Sequence, residues 1–271
     1  MKTVALIGYP LGHSISPAMH NAAYKHLNID FEYVLLEVSP ENLTKKIDGL
    51  RAANFAGFNV TIPHKEAILP LLDEITDLAR EIGAVNAVCN QGGKLVGYNT
   101  DGPGFIESLK EDAKFNPKGK NCVILGAGGA GRAVAVMLKK NNAKKITIHD
   151  AIAEKAKSLA SFVEGNISNN LQKEISTADL LVNASPIGMH PNINDCPLPD
   201  NIKLHNKIVL YDLVYNPYET KLLKLAKNFK AKAISGLGML VRQGALAFTI
   251  FTGKPAPTNV MLKAAKEALL A

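Results

Sequence analysis

Two sets of residues in this 271-residue chain could do chemistry: a glycine-rich loop, and a scatter of charged and amide side chains where core packing would not put them. The loop is Gly126-Ala127-Gly128-Gly129-Ala130-Gly131, entered from the apolar run 123–125 and followed by a helical pattern. Its GxGxxG spacing has a physical reading. The first glycine turns tightly, the second lets the backbone approach a pyrophosphate, and the third lets the helix pack close on the strand, so that helix N-terminal amides face the anion. An acidic residue, Asp150 at the end of KKITIHD, follows about 20 positions on, where a carboxylate meets ribose hydroxyls. This context predicts a dinucleotide-binding Rossmann unit.

Three other places carry polar groups. In Asn59-Val60-Thr61-Ile62-Pro63-His64-Lys65, Asn59 and Thr61 share one face of a strand end, and Lys65 opens the next helix, where a cation opposes the dipole. Most such lysines are solvated. In Tyr98-Asn99-Thr100-Asp101-Gly102, either Asp101 or Thr100 can cap a helix. In Ser14-Ile15-Ser16-Pro17, Ser16 is a good N-cap, leaving Ser14 without a structural duty. Asn86, inside the apolar run 84–88, and Gln243, on one helix face with Met239 and Ala247, need partners if buried. A polyhydroxylated substrate would supply them.

The elements that must position these residues alternate between periods. Strands are expected at 3–7, 31–37, 57–62, 84–88 and 94–97, with a Gly92-Gly93 turn before the last. Helices are expected at 17–27 with Pro17 at N1, at 40–52, from Pro63 until Pro70 kinks or ends it, and at 77–82. The first domain would close near Asp101. A helix at 102–112 then leads to strands at 123–125, 146–149, 180–183 and 208–213 with helices between, and helices at 239–251 and 258–270 return to the first domain.

Composition narrows the class. A chain of 271 residues, 47% hydrophobic, makes one large domain or two ordinary ones, and the roughly 120 residues ahead of the stretch 121–135 that holds the glycine loop favour two. Cys89, Cys122 and Cys196 are widely spaced, with no CxxC, which suits a reducing cytosol and neither a disulfide framework nor a zinc knuckle. No apolar run approaches spanning length, so no membrane is expected. The net charge of +7 comes with four arginines, Arg51, Arg80, Arg132 and Arg242, no tryptophan and no basic block among aromatics, which argues against nucleic acid and for anionic small molecules. The seven histidines form no HExxH or other ligand spacing, so no metal is expected.

Taken together, GYPLGHSISPAMHN (8–21), NVTIPHK (59–65), GAVNAV and GYNTDG (within 83–102), GAGGAG, NASPIGM, YDLVYNP and GLGMLVRQGALAF closely resemble, in order, the motifs of the shikimate/quinate dehydrogenase family. That resemblance implies an α/β substrate-binding catalytic domain, 1–101 plus the C-terminal helices 238–271, facing a doubly wound Rossmann domain, 102–237, across a cleft. It makes Lys65 and Asp101 the catalytic pair, and Ser14, Ser16, Thr61, Asn86, Tyr215 and Gln243, with that pair, the holders of shikimate. The glycine loop, Ala184 and Met239 would lie against the cofactor. The implied activity is the reversible NAD(P)-dependent reduction of 3-dehydroshikimate to shikimate in cytoplasmic aromatic amino-acid biosynthesis, by a monomer or homodimer, with quinate as a second substrate. Hydride transfer to a carbonyl needs a proton at the same oxygen, and a lysine held by a carboxylate can supply it.

One departure bears on the cofactor. Many members carry an Asn-Arg-Thr segment after the second Rossmann strand, whose arginine meets the 2′-phosphate of NADP; here Asp150-Ala151-Ile152 stands there. A carboxylate repels that phosphate and Lys155, a turn later, lacks a bidentate fork, so NAD is expected over NADP. Two rival readings are a nicotinamide enzyme on another small substrate, such as a folate-type methylene dehydrogenase, and a non-catalytic nucleotide sensor. The first has no need of Ser14, Ser16 and Gln243, and the second no need of Lys65 beside Asp101.

Overall fold

Continuous burial marks the first strand, β1 (Lys2–Gly8), whose residues 4–8 are all buried, as a parallel strand covered on both faces must be. It pairs in parallel with β2 (Phe31–Glu37) on one side and β3 (Phe55–Val60) on the other. The crossovers are α1 (Ser16–His26) and α2 (Leu43–Ala52), the second entered through a 3-10 turn at Pro40–Asn42. After α3 (His64–Ala67), β4 (Glu74–Ile75) and α4 (Asp77–Ile82), the chain makes an antiparallel hairpin of β5 (Ala87–Gln91) and β6 (Lys94–Tyr98). Gly92 and Gly93 turn it with φ of +66° and +96°, conformations that favour glycine. The sheet order is β2-β1-β3-β5-β6-β4, with β3 and β5 antiparallel. Its core joins Ala5, Ile7, Phe58, Val60, Val88 and Leu95 to Ile47 and Leu50 of α2. Each large side chain so buried contributes roughly 1.5–3 kcal/mol before entropy is charged.

The structure, a computed structural model, describes residues 1–12, 14–53 and 55–270. Two compact units divide it: Met1–Asp101 with Val241–Ala271, and Gly102–Leu240. The second begins after the first residue of α5 (Asp101–Glu111) and continues β7 (Asn121–Leu125), α6 (Gly129–Lys140), β8 (Lys145–His149), α7 (Ala153–Val163), β9 (Asn166–Ile167), α8 (Leu171–Ser176), β10 (Leu180–Asn183), β11 (Val209–Asp212), α9 (Lys221–Asn228) and β12 (Lys232–Ser235). Every strand pair is parallel, and the order β12-β11-β10-β7-β8-β9 is the doubly wound Rossmann order, reversing between β7 and β10. Then α10 (Leu237–Thr252) carries the chain back, and α11 (Thr258–Leu270) packs on α1.

The α/β class and the Rossmann sheet match the sequence reading, while several local expectations need correction. Ser16 does not cap α1: it is the first helical residue, the capping position belongs to Ile15, and the Ser14 hydroxyl accepts the Ser16 N–H at 3.3 Å. Ser14 therefore has a structural duty after all. Asp101 is not a cap either, being the first residue of α5. The helix after Pro63 stops after four residues, and Leu69–Leu71 forms a 3-10 turn around Pro70, which lacks the N–H a longer helix would need. The strand expected at 84–88 begins three residues later, because the Val85 N–H bonds to the Lys65 carbonyl of another element. The two-residue strands β4 and β9, too short to show a period, and β12 were not foreseen. His13, within the serine loop motif, lies outside the described residues.

Candidate active site

Strand register gathers the polar residues of the first unit at one sheet edge. Leu6 of β1 pairs with Asn59, Asn59 with Ala87 at the start of β5, and Ala87 with Tyr98 at the end of β6. Since β5 runs against the others, its beginning lies beside their ends. Segments far apart in sequence, 9–12, 61–65, 84–86 and 99–101, therefore leave or enter the sheet at the same edge.

At the centre is an ion pair. Lys65, on the short α3, donates to Asp101 Oδ2 at 2.6 Å, with side-chain exposures of 14% and 6%. A buried pair persists only if its remaining lone pairs are satisfied. Asn86 does that: its Nδ2 donates to Asp101 Oδ1 at 2.9 Å, to Thr100 Oγ1 at 2.8 Å and to Gln243 Oε1 at 3.2 Å, while its Oδ1 accepts the Thr100 N–H at 2.6 Å. One amide nitrogen has two hydrogens, so the longest bond, to Gln243, is the weakest held. Asp101 also sits at the start of α5, where the dipole favours a carboxylate. The Lys65 ammonium spends one of its three protons on Asp101 and has others to offer an oxygen placed beside it. His64, buried at 1% exposure, donates from Nε2 to the Val38 carbonyl at 2.6 Å, so it anchors α3 and stands back from proton transfer.

Lys65, Asp101, Asn86 and Gln243 are thus joined by direct bonds. Thr61 lies just past β3, its N–H on the Ile7 carbonyl and its methyl so close to Gly8 that a Cβ there would fall 2.4 Å from it. Ser14 and Ser16 are linked to each other at the head of α1. Tyr215, Ala184 and Met239 belong to the second unit. Two residues of this site escaped the sequence reading. Thr100 appeared there only as a possible cap. Tyr33 donates its buried hydroxyl to Asn59 Oδ1 at 2.9 Å, and Asn59 Nδ2 donates to the Asn86 carbonyl at 2.9 Å. Asn59 therefore points into the protein and braces Asn86. A tyrosine in the half-apolar strand FEYVLLE gives no sequence sign of this.

In the second unit the glycine loop fits a dinucleotide. Gly126 holds φ of +101°, and a Cβ on Gly131 would lie 2.1 Å from the Gly126 carbonyl oxygen, so only glycine lets α6 start this close to β7. A Cβ on Gly128 would meet nothing within 4 Å, and no side chain caps α6, leaving the helix N-terminus open to an anion. Asp150 is engaged twice: Oδ2 accepts the Ala127 N–H and Oδ1 the Ile152 N–H, both at 2.8 Å. It ties the loop to the start of α7, a bracing duty that the ribose reading did not include. Among the described residues no group of His, Cys, Asp and Glu could hold a metal, and no helix is long and apolar enough to cross a membrane.

The chain resembles known proteins throughout its length. Family models match at residues 6–88 (shikimate dehydrogenase substrate binding domain), 108–197 (shikimate / quinate 5-dehydrogenase) and 236–266 (shikimate 5'-dehydrogenase C-terminal domain). The shikimate dehydrogenase (NADP(+)) of Carboxydothermus hydrogenoformans is 48% identical over 97% of this chain and 96% of the relative, and that of Methanopyrus kandleri 44% identical over 99% and 96%. The crystal structure of shikimate 5-dehydrogenase from Thermus thermophilus in complex with NADP(H) and shikimate superposes with a TM-score of 0.90 at 38% identity, covering 99% of this chain and 100% of that one. Identity of this depth over the whole of both units, with a lysine-carboxylate pair in one and a glycine-rich loop at the start of a Rossmann helix in the other, leads to one assignment: the chain belongs to the shikimate dehydrogenase family.

Proposed function

We propose that this protein reversibly reduces 3-dehydroshikimate to shikimate with a nicotinamide dinucleotide, as a cytoplasmic enzyme of aromatic amino-acid biosynthesis acting as a monomer or homodimer. The observation that carries the reading is the 2.6 Å Lys65–Asp101 pair, braced by Asn86 and Gln243 in a unit separate from the glycine loop. In this reading the first unit binds substrate and the second binds the dinucleotide, which supplies or receives the hydride. Gly126 to Gly131, Asp150, Ala184 and Met239 would hold it. Lys65 donates a proton to the oxygen of the ketone as the carbonyl carbon is reduced, and takes it back when the alcohol is oxidised. Asp101 holds the ammonium in place and accepts from a neighbouring hydroxyl. Ser14, Ser16, Thr61, Asn86, Tyr215 and Gln243 bind the remaining hydroxyls and the carboxylate.

On cofactor, this chain's own residues favour NAD although its relatives carry NADP(+) in their names. Asp150 places a carboxylate where a 2′-phosphate would be repelled, and Ala151 offers no arginine fork. Steady-state turnover of shikimate and quinate with NAD and NADP tests both points. The expected order puts shikimate with NAD highest in kcat/KM. Absence of turnover in every combination would sink the enzymatic reading, and faster turnover with NADP at equal concentration would sink the cofactor preference.

A further inference from the structure

Asp212, at the end of β11, is wholly buried, and among the described residues no cation bonds to it. Its Oδ1 accepts the Asn183 Nδ2 at 2.9 Å and the Val214 N–H at 3.1 Å, and its Oδ2 accepts the Thr220 hydroxyl at 2.6 Å. Thr220 Oγ1 in turn accepts the Leu223 N–H and caps α9. Asn183, also wholly buried, turns its own Oδ1 to the backbone and hydroxyl of Ser185 at 3.1 and 2.6 Å. One carboxylate thus joins the loop after β10, the loop after β11 and the head of α9. Both loops leave the carboxyl ends of parallel strands, the side where open α/β sheets bind ligands. An ionised acceptor makes stronger bonds than a neutral amide would, and burying it without a counter-ion is costly. A merely structural tie would be cheaper with a neutral side chain.

We propose that Asp212 is a positioning residue for the reaction, its buried carboxylate holding the loop of Ala184 and the loop of Tyr215 in the geometry that ligand binding requires. The inference rests on the reading of those loops as parts of the dinucleotide and substrate sites. Burial, opposed by the bonds from Thr220, Val214 and Asn183, pushes the Asp212 carboxyl up to about 6. A proton there removes an acceptor: the new O–H can turn to Thr220 Oγ1, reversing that bond and weakening those to Asn183 and Val214. Among the described residues, the titratable group that senses its charge is Cys196, whose thiol is raised first by burial and then by Asp212 and Asp200, against the Leu198 N–H and Lys221. A thiol so raised stays protonated through mildly acidic pH, so of these two groups only Asp212 changes charge there.

The test measures KM for shikimate and NAD, and the calorimetric Kd for NADH, from about pH 8 to about pH 5. The unmodified protein should show KM and Kd rising about tenfold through a midpoint near 6 with far less change in kcat. Asp212→Asn, which keeps shape but loses the charge, should show the weakened binding at every pH and no such transition. Thr220→Val, which removes one bond that favours the carboxylate, should move the midpoint to higher pH. A transition unchanged in Asp212→Asn, or a variant that loses only thermal stability or active fraction while KM, Kd and midpoint stay, would overturn the inference. The Kd needs no turnover, so failure of the proposed reaction appears as absent turnover and failure of this inference as an unaltered pH dependence of binding.

Discussion

The two units bind, in this reading, by opposite means. In the second, the ligand surface is main chain: a glycine at positive φ, a helix start without a side-chain cap, and a third glycine whose carbonyl neighbour leaves no room for a Cβ. In the first, it is side chain: an ion pair, two amides and a hydroxyl, drawn from three helices and two loops and braced from behind by Tyr33 and Asn59. A main-chain site leaves its mark as missing side chains at fixed spacing in one contiguous stretch. A side-chain site leaves isolated polar residues, each with an ordinary structural explanation until the fold brings them together.

Substitutions in one unit or the other can separate their contributions. The largest effect is expected for Lys65→Ala, which should fold normally, bind NADH as before and lose about 100-fold or more in kcat. Near-normal kcat would remove Lys65 from the chemistry. Gly131→Ala should act on the other unit alone: its Cβ would fall 2.1 Å from the Gly126 carbonyl oxygen, so α6 must shift. NADH binding should weaken by roughly tenfold or more, in line with the 1–3 kcal/mol typical of overpacking, while Kd for shikimate stays put. Equal loss of both ligands would mean that the units do not bind separately.

Asp150→Asn with Ala151→Arg should turn the ratio of kcat/KM for NAD over NADP toward NADP, by about tenfold, through removal of repulsion and gain of a planar donor. Shikimate KM should hardly change. Because each Asp150 oxygen already accepts a backbone N–H, the asparagine loses one of those bonds, and a drop in thermal stability worth about 1 kcal/mol should accompany the switch. A stability loss without a change in ratio would make bracing the residue's whole role.

The effect farthest from the chemistry concerns pH and the packing behind the first site. His20 is buried, stacked 4.3 Å from Tyr33, and its Nδ1 has no partner among the described residues. Burial holds its pKa down at about 3 against the usual 6.5, so the folded state resists a proton that the unfolded chain accepts. Its contribution to stability is full above about 6.5 and is lost as pH falls toward 3. Between pH 7 and about 5 the protein should lose about 2 kcal/mol of stability through His20. Asp212, raised to about 6, has the opposite sign: it favours the folded state in acid, and that contribution is lost as pH rises through 6. Urea unfolding of His20→Phe should therefore lose the His20 slope and leave a protein that gains stability on mild acidification. Parallel pH curves for the variant and the unmodified protein would show that His20 charges without unfolding.

Local physics made much of this protein legible in its residues. The apolar runs, the Gly92-Gly93 turn, the halt at Pro70 and the glycine loop all act over a few positions, where sterics and backbone conformation depend on the residues at hand. The parallel order of the second sheet followed too, since alternating strands and helices with right-handed crossovers leave few topologies. Tertiary structure decided the rest. Only the antiparallel turn of β5 beside β3 brings Asn86 to the edge where Lys65 and Asp101 meet, through pairings between residues 28 or more positions apart. Only packing tells that Ser14 serves the Ser16 amide, that Asn59 faces inward to Tyr33, and that Asp150 spends both oxygens on backbone N–H groups. The physical reason is one of range: a backbone preference is a property of a short stretch, whereas a side chain's duty is set by whichever distant donor or acceptor the fold places within about 3 Å of it.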